Sequence, residues 1–135
     1  MFCLDTNAVI FAINRRRPGL AERLEAELSA GTTLLLPAIA LFELAYDIAK
    51  SDRRDQSAAL LAEYLAAGIA IAPFESDDAH HAGDIRAHLA RQCTPIGHYD
   101  LLIAAQARRR GATLVTANGR EFDRVPGLAC EDWSA

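Results

Sequence analysis

The stretch PIGHYDLLIAAQARRRG, residues 95–111, sets one carboxylate, Asp100, at the head of an otherwise apolar helix. Pro95 and Gly97 break the chain upstream, so the helix is expected to start near His98, with Asp100 in its first turn at the positive end of the macrodipole. Arg108, Arg109 and Arg110 complement the negative end, and Gly111 supplies the left-handed residue that stops the helix. Between them Leu101, Leu102, Ile103, Ala104 and Ala105 leave almost no polar face, which predicts packing around most of the circumference. Taken alone, Asp100 reads as a first-turn acid that stabilises its helix. Whether it does more depends on which other acids the chain delivers to the same place.

Upstream, Phe2, Cys3 and Leu4 form a strand-like run that ends at Asp5, and Thr6 and Asn7 can cap a helix expected over 8–13. Pro18 and Gly19 precede an amphipathic surface helix with Leu20, Leu24 and Leu28 on one side, closed by Gly31. Residues 32–36 are β-branched and apolar, a buried strand, and Pro37 opens a helix that runs to Lys50 and is apolar nearly all round except at Glu43. An unpaired ionised carboxylate in such surroundings requires a cation, a donor or a metal nearby, unless Glu43 lies on a narrow wet stripe with Tyr46, Asp47 and Lys50. A charged loop at 51–55, a helix at 58–66, a short strand at 69–72 and a helix at 76–91 follow. The last of these carries His80, Asp84 and His88 four residues apart; an exposed polar face explains them better than zinc, which would require four ligands. Residues 112–116 read as a strand that stops before Asn118, 120–124 as a helical turn, and 128–130 as a final edge strand. The order β, α, α, β, α, α, β, α, α, β, α, β predicts one α/β domain over residues 1–135 with a mainly parallel central sheet flanked by helices.

A chain of 135 residues, 51% apolar, can bury a core without disulfides or structural metal. No apolar run approaches the roughly 18 residues of a membrane span, and the N-terminus lacks the basic segment of a signal peptide, so a cytoplasmic protein is expected. Cys3, Cys93 and Cys130 are an odd set without a close pair and are expected as buried free thiols. The net charge of −4 argues against a protein that coats nucleic acid non-specifically. Lys50 is the only lysine among 14 basic residues, and the arginines cluster at 15–17, 53–54 and 108–110. Such forks suit phosphate, RNA or an acidic partner, although each cluster also reads as a solvated helix end.

In open α/β sheets the working crevice lies at the carboxyl ends of the strands. Asp5 follows the first strand, Asn118 the strand at 112–116, Glu43 lies about two turns into the helix after the second, and Asp100 begins the helix that feeds the fourth. Three carboxylates and an amide brought to one sheet end repel each other unless a cation sits among them, and an all-oxygen set favours a hard ion, Mg2+ or Mn2+.

Asp5 in LDTN, Glu43 in the helix after a strand, PIGHYDLLIAA around Asp100, and LVTANGREFDRVPGLACEDW from 114 to 133 together resemble the PIN domain, and more narrowly the VapC toxins of bacterial VapBC toxin–antitoxin pairs. The resemblance covers nearly the whole chain. It implies a PIN-like fold and a Mg2+- or Mn2+-dependent ribonuclease, usually a homodimer, silenced by a cognate VapB antitoxin, with tRNA a candidate substrate. Asp5, Glu43 and Asp100 match the family's acidic triad of metal ligands, Asn118 its fourth position, and Thr6, Asn7 and Thr116 the polar residues around them. Relatives often carry Asn where Ala117 stands and Gly where Cys93 stands. With an amide at 118, Glu121 is a candidate substitute acid. The competing readings are a non-catalytic PIN-like module that binds RNA or a protein, and a stand-alone housekeeping ribonuclease. A receiver domain or haloacid-dehalogenase-like phosphatase is disfavoured, since both require a late lysine.

Overall fold

The computed structural model describes residues 1–134. Its centre is a five-stranded sheet in the order β3-β2-β1-β4-β5, formed by β1 (Phe2–Leu4), β2 (Leu34–Pro37), β3 (Ala70–Ala72), β4 (Thr113–Val115) and β5 (Cys130–Glu131). Every pairing is parallel. The register sets Phe2 and Cys3 beside Leu34 and Leu35 on one flank of β1, and beside Thr113 and Leu114 on the other. Buried Cys3, Leu4, Leu34, Leu36, Leu114 and Val115 carry the sheet's share of the core. A parallel sheet requires helical crossovers on its faces, which explains strands that are apolar without clean alternation.

Seven helices are described: α1 (Thr6–Asn14), α2 (Pro18–Ser29), α3 (Ala38–Lys50), α4 (Arg54–Ala67), α5 (Ser76–Arg91), α6 (His98–Arg109) and α7 (Gly119–Phe122). None is long and apolar enough to cross a membrane. The expected element order is found, with shifted boundaries. The charged segment 51–55 gives α4 its first residues, and Asp5 itself, rather than Thr6 or Asn7, is the N-cap of α1. β5 begins two residues beyond the expected start of the edge strand. Cys3 is buried as expected, but Cys93 is exposed and Cys130 half-buried; all three thiols are free. At Cys93 the backbone φ is 56°, the left-handed region that glycine occupies most easily, so the residue expected from the family at this place also suits the turn best.

Two apolar helices pack in opposite senses. In α6, Ile103, Ala104, Ala105 and Ala107 are buried to 0% exposure, as the apolar run predicted, and so is Gln106. Its amide donates to the carbonyls of Ala72 (2.9 Å) and Pro73 (3.1 Å), and its oxygen accepts from the N–H of Ile39 at 3.4 Å. A buried amide is retained only when its donors and acceptor are satisfied, and here it ties the end of β3 and the uncapped start of α3 to α6. In α3, by contrast, only Ala40 and Leu44 are buried. Phe42 and Tyr46 stand 51% and 60% exposed, so one side of α3 is an open apolar face while Ile39, Leu41 and Ile48 pack against the core.

The arginine cluster that ends α6 is neither a solvated helix end nor a free phosphate site. Arg109 Nε and Arg110 Nη1 each donate to Asp78 Oδ1 at 2.8 Å, and Arg108 Nη2 donates to Asp84 Oδ2 at 2.8 Å. Asp78 is fully buried at the start of α5, where it also accepts from the Glu75 N–H in a capping box. Burial works to raise its pKa, but the Arg109 and Arg110 guanidinium groups and the Glu75 amide overcome that and hold it below the usual carboxylate range. His81 and Asp84 both accept from Arg108, so of the 80, 84, 88 set Asp84 is already paired with a guanidinium. Replacing Asp78 by Ala strands two arginines at a helix junction and should cost roughly 3 kcal/mol of unfolding free energy, measured by urea denaturation. Asp84→Ala, where the carboxylate is exposed, should cost much less than Asp78→Ala in the same assay.

Candidate active site

The sheet order reverses direction between β1 and β4: the chain builds outward from β1 to β2 and β3, then returns to the other side for β4 and β5. A crevice opens at such a switch point, outside the carboxyl ends of the two strands. Asp5 ends β1 there, its N–H donating to the Val115 carbonyl at 3.1 Å, and Thr116 ends β4 beside it. The Asp5 carboxylate accepts from the Ala8 N–H at 2.8 Å and from Thr116, so one side chain closes the first turn of α1 and bridges to the neighbouring strand end. It is 5% exposed. Burial, against the hydrogen bonds from Thr116 and Ala8, raises its pKa to about 6, and the charges of Asp100 and Glu43 add to the rise.

Glu43 reaches the same place from α3. The Thr6 hydroxyl donates to Glu43 Oε1 at 2.7 Å, joining the first residue of α1 to the second turn of α3. Asp100 lies in the first turn of α6, where the sequence placed it. Its pKa is also raised to about 6, first by burial and then by the charges of Glu121 and Glu43. Gly97 leaves room for it: a Cβ there would stand 3.3 Å from Asp100 Oδ2. A macrodipole at the head of α6 would by itself lower the pKa of an acid in this position; burial and the charges of Glu121 and Glu43 act against it.

The fourth position is arranged differently from the other three. Asn118 is exposed, and its backbone N–H donates to Thr116 Oγ1 at 2.9 Å. Its side-chain amide is hydrogen-bonded to Glu121, whose charge in turn bears on Asp100. The acid at 121 thus enters the site's field with Asn118 holding it.

The structure therefore brings Asp5, Glu43, Asp100, Thr6, Thr116 and the Asn118–Glu121 pair to one end of the sheet. Among the described residues no basic side chain pairs with Asp5, Glu43 or Asp100. Nor do three His, Cys, Asp or Glu side chains close tightly around one point there. The carboxylates nevertheless bear on one another's ionisation, Asp100 and Glu43 on Asp5, and Glu121 and Glu43 on Asp100. A donor set made of carboxylate oxygens whose ionisation is resisted by burial and mutual repulsion fits a hard divalent cation. Asn7, by contrast, is exposed and makes no hydrogen bond to these acids among those described.

Gln106 and Asp78, which hold α6 in place, were not anticipated from the sequence. Gln106 had a visible signal, a lone amide within an apolar helix. Asp78 had one too, an acid three residues after Glu75 at a helix start.

Comparison with known proteins agrees with this geometry. The family model of the PIN domain matches residues 2–128. The tRNA(fMet)-specific endonuclease VapC of Shigella flexneri is 41% identical over 133 residues, covering 98% of both chains. Ribonuclease VapC2 of Rickettsia felis is 35% identical, again over 98% of each. The crystal structure of VapBC2 from Rickettsia felis, bound to a DNA fragment from its promoter, contains a chain that superposes with a TM-score of 0.88 at 34% identity, covering 98% of both. With a parallel sheet of this order, acids at its switch point and relatives matched end to end, the chain belongs to the PIN-domain family, in its VapC ribonuclease branch.

Proposed function

We propose that this protein is a Mg2+- or Mn2+-dependent endoribonuclease that serves as the toxin of a toxin–antitoxin pair. The observation that carries the metal dependence is the set Asp5, Glu43 and Asp100 at the switch point, two of them with raised pKa and none with a basic partner among the described residues. These three would hold the ion, which when bound supplies Lewis-acid activation of water and neutralises charge at the scissile phosphate. The protein's own share is positional. Asp5 is fixed by Ala8 and Thr116, and Glu43 by the Thr6 hydroxyl, so two acids are oriented before any ligand arrives. Glu121, held by Asn118, is suited to a fourth acidic position. A carboxylate of this set, kept basic by burial, can accept the proton of the attacking water. The relatives named for RNA cleavage make RNA the substrate class, with tRNA the first candidate because the Shigella flexneri protein is named for tRNA(fMet). The VapBC structures of relatives make a VapB-type antitoxin the expected partner. An arginine from such a partner could neutralise the same acids and block the site.

The chain should cleave RNA with Mg2+ or Mn2+ and lose cleavage in excess EDTA; full activity in EDTA overturns the reading. Asp5→Asn, Glu43→Gln and Asp100→Asn should each reduce the cleavage rate more than Asn118→Ala, for which roughly a tenfold loss is expected.

Stability gives an independent check. Asp5 ionises at about 6 in the folded chain against 3.8 for the unperturbed group, so between those values the folded state holds the extra proton. Metal-free stability should therefore fall as pH rises from about 4 to 6 and level off above. Asn caps a helix as well as Asp does, so Asp5→Asn should keep the α1 cap and remove the charge. At pH 7.5 the metal-free variant should be more stable than wild type, on the order of 2 kcal/mol by chemical denaturation, with the gain disappearing at pH 4.

For assembly, the exposed aromatics Phe42, Tyr46 and Tyr99 form one patch on α3 and the start of α6, with the Phe42 and Tyr99 rings 5.3 Å apart. We assign this face to a homodimer. Wild type should sediment as a dimer at micromolar concentration and Phe42→Glu with Tyr46→Glu as a monomer; a wild-type monomer rejects the assignment.

A further inference from the structure

We propose that the cavity between the end of α5 and the loop entering α6 seats one unpaired nucleobase of the RNA, next to the bond being cut. This rests on the ribonuclease reading above. The cavity, about 380 Å3, is lined by Arg86, Leu89, Ala90 and Cys93 from the α5 side and by Pro95, Ile96, His98 and Leu101 from the α6 side. Its size falls within the range of small-molecule sites, and its chemistry is that of such sites: apolar walls with few polar groups.

The loop from Cys93 to Gly97 is a wall shared with the acid cluster. Pro95 and Ile96 line the cavity, while Gly97, the next residue, abuts Asp100 Oδ2. Leu101 lines the cavity directly after Asp100. The loop is also pinned to the segment that bears Asn118 and Glu121, since Arg124 Nη1 donates to the Pro95 carbonyl at 3.2 Å. A base in this cavity would therefore belong to a nucleotide whose phosphate lies at the carboxylates.

Apolar walls with one guanidinium suit the flat face and polar edge of a base better than a phosphate or a purely apolar peptide segment. The site's acids repel phosphate and the α6 arginines are bound to Asp78 and Asp84, so affinity has to come from elsewhere. Arg86 has no carboxylate partner among the described ion pairs, and it can donate to a base edge or stack on its face. Sequence-specific RNA recognition works mainly on unpaired bases taken out of their stack, which an apolar slot with one guanidinium accommodates.

The chain carries its own reporter. Cys93 is an exposed thiol in the cavity wall, whereas burial pushes both Cys3 and Cys130 up to about 11 and keeps them protonated. Iodoacetamide should therefore label Cys93 first. With the cutting-deficient Asp100→Asn protein, a saturating RNA that wild type cleaves should slow Cys93 labelling at least fivefold; unchanged labelling overturns the proposal. In a second arm, the four bases are varied in turn at the positions flanking the cut. Wild type should prefer one base at one position by tenfold or more, and Arg86→Ala and Ala90→Phe should flatten that preference. Arg86→Ala decides the matter if Ala90→Phe does not fold. An unaltered preference, with loss only of antitoxin binding, would assign the cavity to the antitoxin and overturn the base reading. Wild type that cleaves no RNA with metal would instead remove the ribonuclease reading itself, and this proposal with it.

Discussion

Burial of carboxylates at the switch point, with their mutual repulsion added to it, is the constraint on which the rest of the architecture depends. Two of them ionise only near pH 6, a sign that the fold places them where charge is costly. A chain gains nothing in stability from such an arrangement, so the surrounding structure has to hold it. It does so with neutral donors. The Ala8 N–H and Thr116 serve Asp5, the Thr6 hydroxyl serves Glu43, and the Asn118 amide serves Glu121. Hydrogen bonds from neutral groups orient an acid without cancelling its charge, whereas an arginine in the same places would do both.

The cationic side chains of α6 itself are kept at its other end. Arg109 and Arg110 close on buried Asp78, and Gln106 ties the middle of the helix to β3 and α3. The helix that delivers Asp100 is thus clamped at its tail and along its length, leaving its first turn as the part that faces the crevice. Charges of opposite sign occupy opposite ends of one 12-residue element. That separation keeps the acids uncompensated, which an intramolecular ion pair would defeat.

How much of this was legible follows from the physics of each signal. The α6 reading held because punctuation by Pro95, Gly97 and Gly111 is local, and so is the apolar run between them. Parallel pairing followed from alternating elements, since helical crossovers return each strand in the same direction, whereas the order of the strands was not read from the sequence. The position of Asp5 was legible, but its double duty as helix cap and strand-end bridge depends on Thr116, more than a hundred residues away. The fate of the 108–110 arginines was likewise set by a partner on another helix, so a motif-level reading left them free when they are bound. For α3, composition alone could not tell a core contact from an open face, because Phe42 and Tyr46 suit either. Periodicity reports that a surface is apolar; it does not report what covers it.

The double role of Asp5 has a genetic consequence. Codons for aspartate and asparagine differ by a single transition, and asparagine preserves the hydrogen-bonded cap on which α1 depends. One point mutation can therefore remove charge from the crevice while the sheet, the clamp on α6 and the outer surface stay as they are. An allele of that kind would accumulate as a folded product with its outer surface unchanged. A population escaping the protein's activity would have a route through this codon that leaves abundance intact, so expression level alone would not reveal which copies are inert.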